Sequence, residues 1–168
     1  GSTAERRDGF RAWMTAQGYQ PAPVSIDASD WYYNVRFLEA EERSPGSRRA
    51  DHRKAYLAHL WDRATAYEGL SQRVLGRSAK HVLLLHTNAI NAAFLPDILE
   101  MFRSKGWTII SPEEAFADPL YAMRPLVLPA GESILWSLAK QRGVPGLRYP
   151  AEDDAYEKPL LDAAGVTD

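Results

Sequence analysis

Two short apolar segments, each ending in ionisable side chains, constrain the fold of this chain more than any other feature. The first reaches Ile26 and continues into Asp27 and Asp30, and the second is Leu83-Leu84-Leu85 followed by His86. In α/β proteins, parallel strands deliver the residues at their carboxyl ends to one face, where sites of that architecture are built. The pattern therefore predicts a parallel sheet with a polar site at its carboxyl edge.

The spacing of apolar residues predicts helices on both sides of these segments. Helical periodicity and stop signals favour helices near the N-terminus and over residues 51–75, 92–105 and 132–142. Ser111-Pro112-Glu113-Glu114 has the residues of a helix start, residues 31–34 are interpreted as a loop or a helix entry, and residues 41–49 as an exposed polar break. Continuous apolar runs predict strands over residues 22–26, 82–85 and 107–110. The alternation of helix and strand favours parallel pairing through right-handed crossovers. The predicted fold class is α/β, a partial (β/α) barrel-like parallel sheet with flanking helices.

The domain organisation follows from this order. We expect residues 1–168 to form one partial α/β domain, with a barrel-like segment over 1–120, a helical insertion near 50–76, and a C-terminal extension over 121–168. Within the extension we expect a short helix near Leu160, and we interpret Asp153-Asp154 as solvated charge. Because three strands leave open sheet edges, N-terminal strands of the sheet are expected to be missing from this chain.

Composition narrows the functional classes. A formal charge of −2 gives no general attraction to nucleic acid or to an anionic membrane surface, so neither is an expected partner. The chain has no cysteine, which excludes disulfides and thiolate metal sites. No apolar run approaches the roughly 20 residues that span a bilayer. These observations leave the cellular compartment open.

The polar residues that follow the two apolar segments are the candidate site. A histidine such as His86 at the end of an apolar strand is more often structural, and the functional alternative is a general acid or base. Asp27 could accept a hydrogen bond from an imidazole N–H, which would fix the ring's tautomer. For Asp30, a helix cap or turn is favoured over chemistry. Asn88 adds a hydrogen-bonding group at the same place.

An aromatic residue and the remaining histidines are also considered as site residues. Trp31 is either a packing anchor or a flat surface against which a sugar ring lies, and both interpretations stay open. The remaining histidines do not show metal-ligand spacing, and we expect structural roles for them: His52, His59 and His81.

Taken together and in this order, Asp27-Ala28-Ser29-Asp30-Trp31 and Leu84-Leu85-His86 resemble two segments of the polysaccharide deacetylases, the NodB-homology group or carbohydrate esterase family 4. Residues 82–118, with 107–115 among them, are similar to the family's last barrel strands and helices, so the resemblance covers roughly residues 1–120. It implies that His86 protonates the leaving amine, that Asp27 tunes His86, and that Trp31 and Leu84 line the acetyl pocket. Asp30 and Asn88 are expected at the substrate.

Several family motifs have no counterpart in this chain. The resemblance implies a divalent metal, zinc, held by one Asp and two His, together with a second Asp as general base and an Arg-x-Pro-Tyr segment, none of which the sequence matches. In the family these lie N-terminal to the matched region. The chain is therefore expected to be the C-terminal part of such an enzyme, with the metal ligands and an N-terminal barrel segment elsewhere, and to be inactive alone.

The expected activity is hydrolysis of N- or O-acetyl groups on an oligo- or polysaccharide. Two alternatives stay open: a non-catalytic glycan- or partner-binding module, and an amidase that acts on a non-sugar substrate. The family resemblance favours an extracytoplasmic location, which nothing in the sequence itself decides.

Overall fold

The structure is a computed structural model that describes residues 1–148 and 154–166. Within those residues the chain forms seven α-helices and one 3₁₀ helix at Pro119–Ala122. The α-helices are α1 (Ala4–Ala16), α2 (Asp30–Arg43), α3 (Arg49–Leu75), α4 (Ala89–Ser104), α5 (Pro112–Phe116), α6 (Ile134–Gln141) and α7 (Asp154–Ala163). Asp153, interpreted above as solvated charge, lies outside the described residues.

The helix predictions are confirmed at most positions. The long helix predicted over 51–75 is α3, and the cap signals at Ser111 place α5, where the Ser111 hydroxyl accepts a hydrogen bond from the Glu114 N–H at 3.2 Å. The short helix expected near Leu160 is α7. The sequence reading missed α2, because the residues after Asp30 were assigned to a loop or a helix start and the later ones to a polar break.

The expectation of an α/β fold with a partial barrel-like parallel sheet is wrong. Over residues 1–148 and 154–166 the predicted strands contribute one isolated parallel bridge, Ile26 with Leu83, and no sheet. Backbone pairing between the two segments involves the Val82 carbonyl, which accepts from Ser25 N–H and Ile26 N–H at 3.0 Å, and side chains bind neighbouring groups: the Val82 N–H donates to Ser25 Oγ at 2.8 Å, and the Lys80 carbonyl accepts from Tyr121 Oη at 2.7 Å. Backbone groups satisfied in this way need no neighbouring strand.

One compact unit consists of Gly1–Asp27, Thr65–Leu83 and Ile110–Pro150. It contains α1, the last part of α3, α5, the 3₁₀ helix and α6. Its buried apolar residues include Ile26, Leu70, Leu120 and Leu135. Both residues of the parallel bridge belong to this unit, which we call unit 1.

A second compact unit, unit 2, consists of Ala28–Ala64, Leu84–Ile109 and Ala151–Asp168. It contains α2, the first part of α3, α4 and α7, and α2 packs against α4. Its most deeply buried apolar residues include Tyr33, Tyr56, Leu60, Ile90 and Ile98. In the described part of the chain no helix combines the length and the apolar character that crossing a bilayer requires.

Candidate functional site

The main candidate site is a carboxylate–imidazole pair in unit 2. His86 Nδ1 lies 2.7 Å from Asp30 Oδ1. The Asp30 side chain is fully buried, whereas the His86 side chain is 52% exposed. One partner is therefore held inside the protein while the other faces the solvent.

The Asp30 carboxylate accepts hydrogen bonds through both oxygens. While Oδ1 contacts the His86 ring, Oδ2 accepts from the His86 backbone N–H at 2.7 Å and from the side-chain amides of Asn91 at 2.7 Å and Asn88 at 3.0 Å. Multiple N–H donors compensate a buried carboxylate for its lost hydration. The Asp30 side chain is consequently held in one orientation against the His86 ring.

The two asparagines are themselves fixed by α4. Asn88 is the N-cap of α4, and its Oδ1 accepts from the Asn91 backbone N–H at 3.0 Å. Asn91 Oδ1 accepts from the buried Tyr56 hydroxyl at 2.6 Å, and its amide also donates to the His86 carbonyl at 2.9 Å. A single polar network thus joins the start of α4, the long helix α3 and the His86 backbone.

Helix α2 supplies the other half of the geometry. Asp30 is its first residue, where a negative side chain interacts favourably with the helix dipole. One turn later, Asn34 Oδ1 accepts from the Ile90 N–H of α4 at 3.1 Å. The N-termini of α2 and α4 are therefore tied together, and the carboxylate and the histidine are presented at that junction.

This arrangement determines which ring nitrogen of His86 can act on a ligand. Because the carboxylate accepts from Nδ1–H, the neutral ring carries its lone pair on Nε2, which makes no hydrogen bond to a described residue. The contact from Nδ1–H to the carboxylate can persist when Nε2 carries a proton, because both nitrogens of a protonated imidazole are donors. His86 can therefore accept a proton or donate one at the exposed Nε2.

The structure distributes the predicted site residues unevenly. His86, Asp30 and Asn88 come together as described, so the carboxylate bonded to His86 is that of Asp30, whereas the sequence reading had assigned this role to Asp27. Asp27 belongs to unit 1, where burial and the charge of Asp27 raise the pKa of Glu132.

The two predicted pocket residues lie in unit 2. Trp31 follows Asp30 in α2 and is 45% exposed, with its ring edge-on to Tyr32 at a centroid distance of 5.9 Å. Leu84 is half-buried. Trp31 directly follows Asp30 in the chain, and its exposed indole presents a flat apolar face.

The three histidines expected to be structural have different surroundings. His52 is buried, and burial together with the charge of Arg48 lowers its pKa. Burial also lowers the pKa of His81, whose ring contacts Ser25 Oγ at 3.0 Å and Glu68 Oε2 at 2.9 Å. His59 accepts a hydrogen bond from the Ser29 N–H at 2.9 Å, next to Asp30 in the chain.

Sequence reasoning missed Asn91 and Tyr56 as members of the site network. The spacing of Asn88 and Asn91, three residues apart at a helix start, is a signal that places both on one face of the first turn. Tyr56 gave no such signal, because it lies in the apolar stripe of α3 and reads as an ordinary core residue.

The residues present do not fit the metal that the family resemblance implies. The described residues contain no group of three or more His, Cys, Asp or Glu side chains that could hold a metal ion. Asp30, the carboxylate nearest His86, already uses both oxygens on N–H donors. No chemical step of this chain is therefore assigned to a bound metal.

Comparison of the chain with family models, with curated proteins and with solved structures found no match. The geometry of the site and the sequence resemblance are therefore what a functional proposal can rest on.

Proposed function

We propose that this chain is the part of a carbohydrate deacetylase that carries its proton-transfer histidine. The observation that carries the proposal is the contact between the fully buried Asp30 carboxylate and the exposed imidazole of His86. This arrangement suits a general acid or base, because the carboxylate orients the ring and fixes which nitrogen exchanges protons.

In the proposed reaction, water adds to the acetyl carbonyl carbon and the bond between that carbon and the amine nitrogen breaks. His86 donates the proton on Nε2 to the departing nitrogen. The products are acetate and a free amine. Asp30 keeps Nδ1–H in place during both protonation states. The metal ligands and the general base of the resemblance are assigned to another part of the protein, so the isolated chain is expected to release no acetate.

The proposal does not depend on a barrel fold, which the structure contradicts. It rests on the Asp30–His86 pair and on the order of the two motifs along the chain. A sugar substrate is supported by the exposed indole of Trp31, which directly follows Asp30, since flat aromatic faces pack well against apolar faces of ligands.

The same exposed Trp31 favours a second candidate, a glycan-binding module without catalysis. The two candidates differ in one outcome: a module would bind acetylated oligosaccharide and leave its acetyl groups in place.

The test is acetate release from N-acetylated chito-oligosaccharide by the longest natural protein that contains these 168 residues. We expect His86→Ala to lower the turnover rate by about 10²–10⁴-fold while the metal content stays unchanged. Loss of bound metal in that variant, or retention of full activity, would contradict the role assigned to His86. Oligosaccharide binding without acetate release by the wild type would favour the binding module.

A further inference from the structure

A second carboxylate–imidazole pair in unit 2, buried on both sides, lies next to the residue that precedes Asp30 in the chain. Glu157 of α7 and His59 of α3 are both buried, with side chains 3% and 2% exposed, and Glu157 Oε2 lies 3.4 Å from His59 Nδ1. Both residues contact Ser29, the residue that precedes Asp30. We call Ser29, His59 and Glu157 the inner network.

Ser29 is held at each of its polar groups. Its N–H donates to His59 Nε2 at 2.9 Å, its hydroxyl donates to Glu157 Oε1 at 2.5 Å, and its carbonyl accepts from the Tyr33 N–H at 3.1 Å. Ser29 is also the N-cap of α2, yet its side chain makes no capping hydrogen bond. A serine at this position normally caps with its hydroxyl, and here that hydroxyl is committed to Glu157.

The inner network fixes the tautomer of His59. Because His59 Nε2 accepts from the Ser29 N–H, the neutral ring carries its hydrogen on Nδ1, the nitrogen that faces Glu157. The His59 ring also stacks on Tyr33 with centroids 4.5 Å apart. Glu157 Oε2 faces His59 Nδ1 at 3.4 Å, a looser contact than the 2.7 Å between Asp30 and His86, and the short hydrogen bond of Glu157 is the one from the Ser29 hydroxyl. The Ser29–Asp30 dipeptide joins the two pairs.

The burial of Glu157 calls for a reason. A carboxylate removed from water is costly, and a buried ionic pair is often no more stabilising than apolar residues of similar volume. Positional specificity is a recognised role for such groups. Glu157 lies 128 residues from Ser29 in sequence, so α7 has to fold onto unit 2 to make the contact.

We propose that Glu157 is a positioning residue. It acts through Ser29 and His59 to hold the Asp30 carboxylate at hydrogen-bond distance from His86 Nδ1. The inference rests on the proposed function, in which Asp30 orients the proton-transfer histidine. It assigns α7, expected from the sequence to be part of a peripheral extension, to the support of the site.

The nearly isosteric variant Glu157→Gln distinguishes this role from simple filling of space. A glutamine has one acceptor oxygen where Glu157 has two, so it cannot accept from the Ser29 hydroxyl and also leave His59 Nδ1–H undisturbed. Either the Ser29 hydroxyl turns to accept from the glutamine amide, or the His59 hydrogen moves to Nε2, where it opposes the Ser29 N–H. Both changes loosen the hold on Ser29 while the volume of the side chain is retained.

The experiment measures the tautomer of His86 in the ¹⁵N-labelled chain by long-range ¹H–¹⁵N correlation at about pH 8, where ordinary imidazoles are neutral. Glu157→Gln is compared with Asp162→Asn, which makes the same chemical change at an exposed position of α7. We expect the wild type and Asp162→Asn to hold His86 as the Nδ1–H tautomer. We expect Glu157→Gln to lower the ratio of Nδ1–H to Nε2–H by about 10-fold, as for loss of other outer-shell partners.

A folded Glu157→Gln variant with the wild-type ratio would overturn the inference and leave the proposed function intact. If Glu157→Gln does not fold, Ser29→Ala removes only the hydroxyl and is expected to shift the ratio in the same direction, and no shift there would equally refute the role. A wild type without the Nδ1–H tautomer would remove the basis of the proposed function itself. In the active protein, Glu157→Gln should lower kcat by about 10–100-fold with KM unchanged.

Discussion

Replacement of Asp30 by asparagine is the sharpest test of the site geometry. The carboxylate has one oxygen on the His86 ring and one on three N–H donors. An asparagine keeps one oxygen, and that oxygen satisfies more donors at the Oδ2 position, beside Asn88 and Asn91. The amide nitrogen then replaces Oδ1 and presents hydrogens to His86 Nδ1, so His86 must become the Nε2–H tautomer.

The expected changes in the free energy of unfolding and in the tautomer ratio follow from the loss of one charge-assisted hydrogen bond inside the protein. Such a bond contributes about 1.5–3 kcal/mol, so the free energy of unfolding should fall by about that amount. Since about 1.4 kcal/mol is tenfold in an equilibrium, the ratio of Nδ1–H to Nε2–H should fall by about 10–100-fold. In the active protein, a wrong tautomer costs turnover by about 10⁴-fold in comparable sites.

The assay pairs ¹⁵N spectroscopy of the His86 ring with urea unfolding, and Asp27→Asn is the matched control. Asp27 carries the same side chain three residues earlier and belongs to unit 1, so its variant should keep the wild-type tautomer. An unchanged tautomer in Asp30→Asn would refute the reasoning. A change in Asp27→Asn alone would return the orienting role to Asp27, as first expected from the sequence.

Three further predictions concern stability. Tyr56→Phe should lower the free energy of unfolding by about 1–3 kcal/mol in urea, because Asn91 Oδ1 loses its buried donor; a variant as stable as wild type would contradict the network. Asp118→Asn should cost about 3 kcal/mol at neutral pH, since Asp118 accepts from Arg77, Lys80 and Leu120. The Arg77 guanidinium holds the pKa of Asp118 well below its usual range, so this deficit should shrink as the pH falls below about 4. Burial lowers the pKa of His52, so the unfolded chain binds the proton more readily, and the free energy of unfolding should fall as the pH drops below about 6.5. His52→Gln should reduce this pH dependence of the free energy of unfolding. An unchanged pH dependence in that variant would exclude His52 as its source.

The sequence was informative about helices and about the polar residues that follow the apolar segments. Helical periodicity located α3 and α4, and cap residues located α5, because these signals depend on neighbours within one or two turns. The same reading identified His86, Asp30 and Asn88 as candidate site residues. It did not predict α2 as a helix of its full length, because its aromatic start was interpreted as a loop or a helix entry.

The strand predictions were wrong because strand formation depends on contacts with distant segments, which the local sequence does not show. An apolar run such as residues 82–85 becomes a strand only if another backbone pairs with it along its length. Here the Val82 carbonyl accepts from the backbone N–H groups of Ser25 and Ile26, but side chains bind the next donors: Ser25 Oγ accepts from the Val82 N–H, and Asp30 accepts from the His86 N–H. Local composition does not show which donor or acceptor a distant segment will bring.

By itself, then, the sequence determined most of the helices and identified the two motifs whose side chains meet. The tertiary structure alone decided that Asp30 and not Asp27 contacts His86, because Asp30 begins α2 while Asp27 lies before the helix, and only folding brings one of them to the ring. It also decided that Glu157 and His59 contact Ser29, the residue before Asp30. Contacts that join residues 30 to 128 positions apart arise from packing of whole helices, which no window of sequence contains.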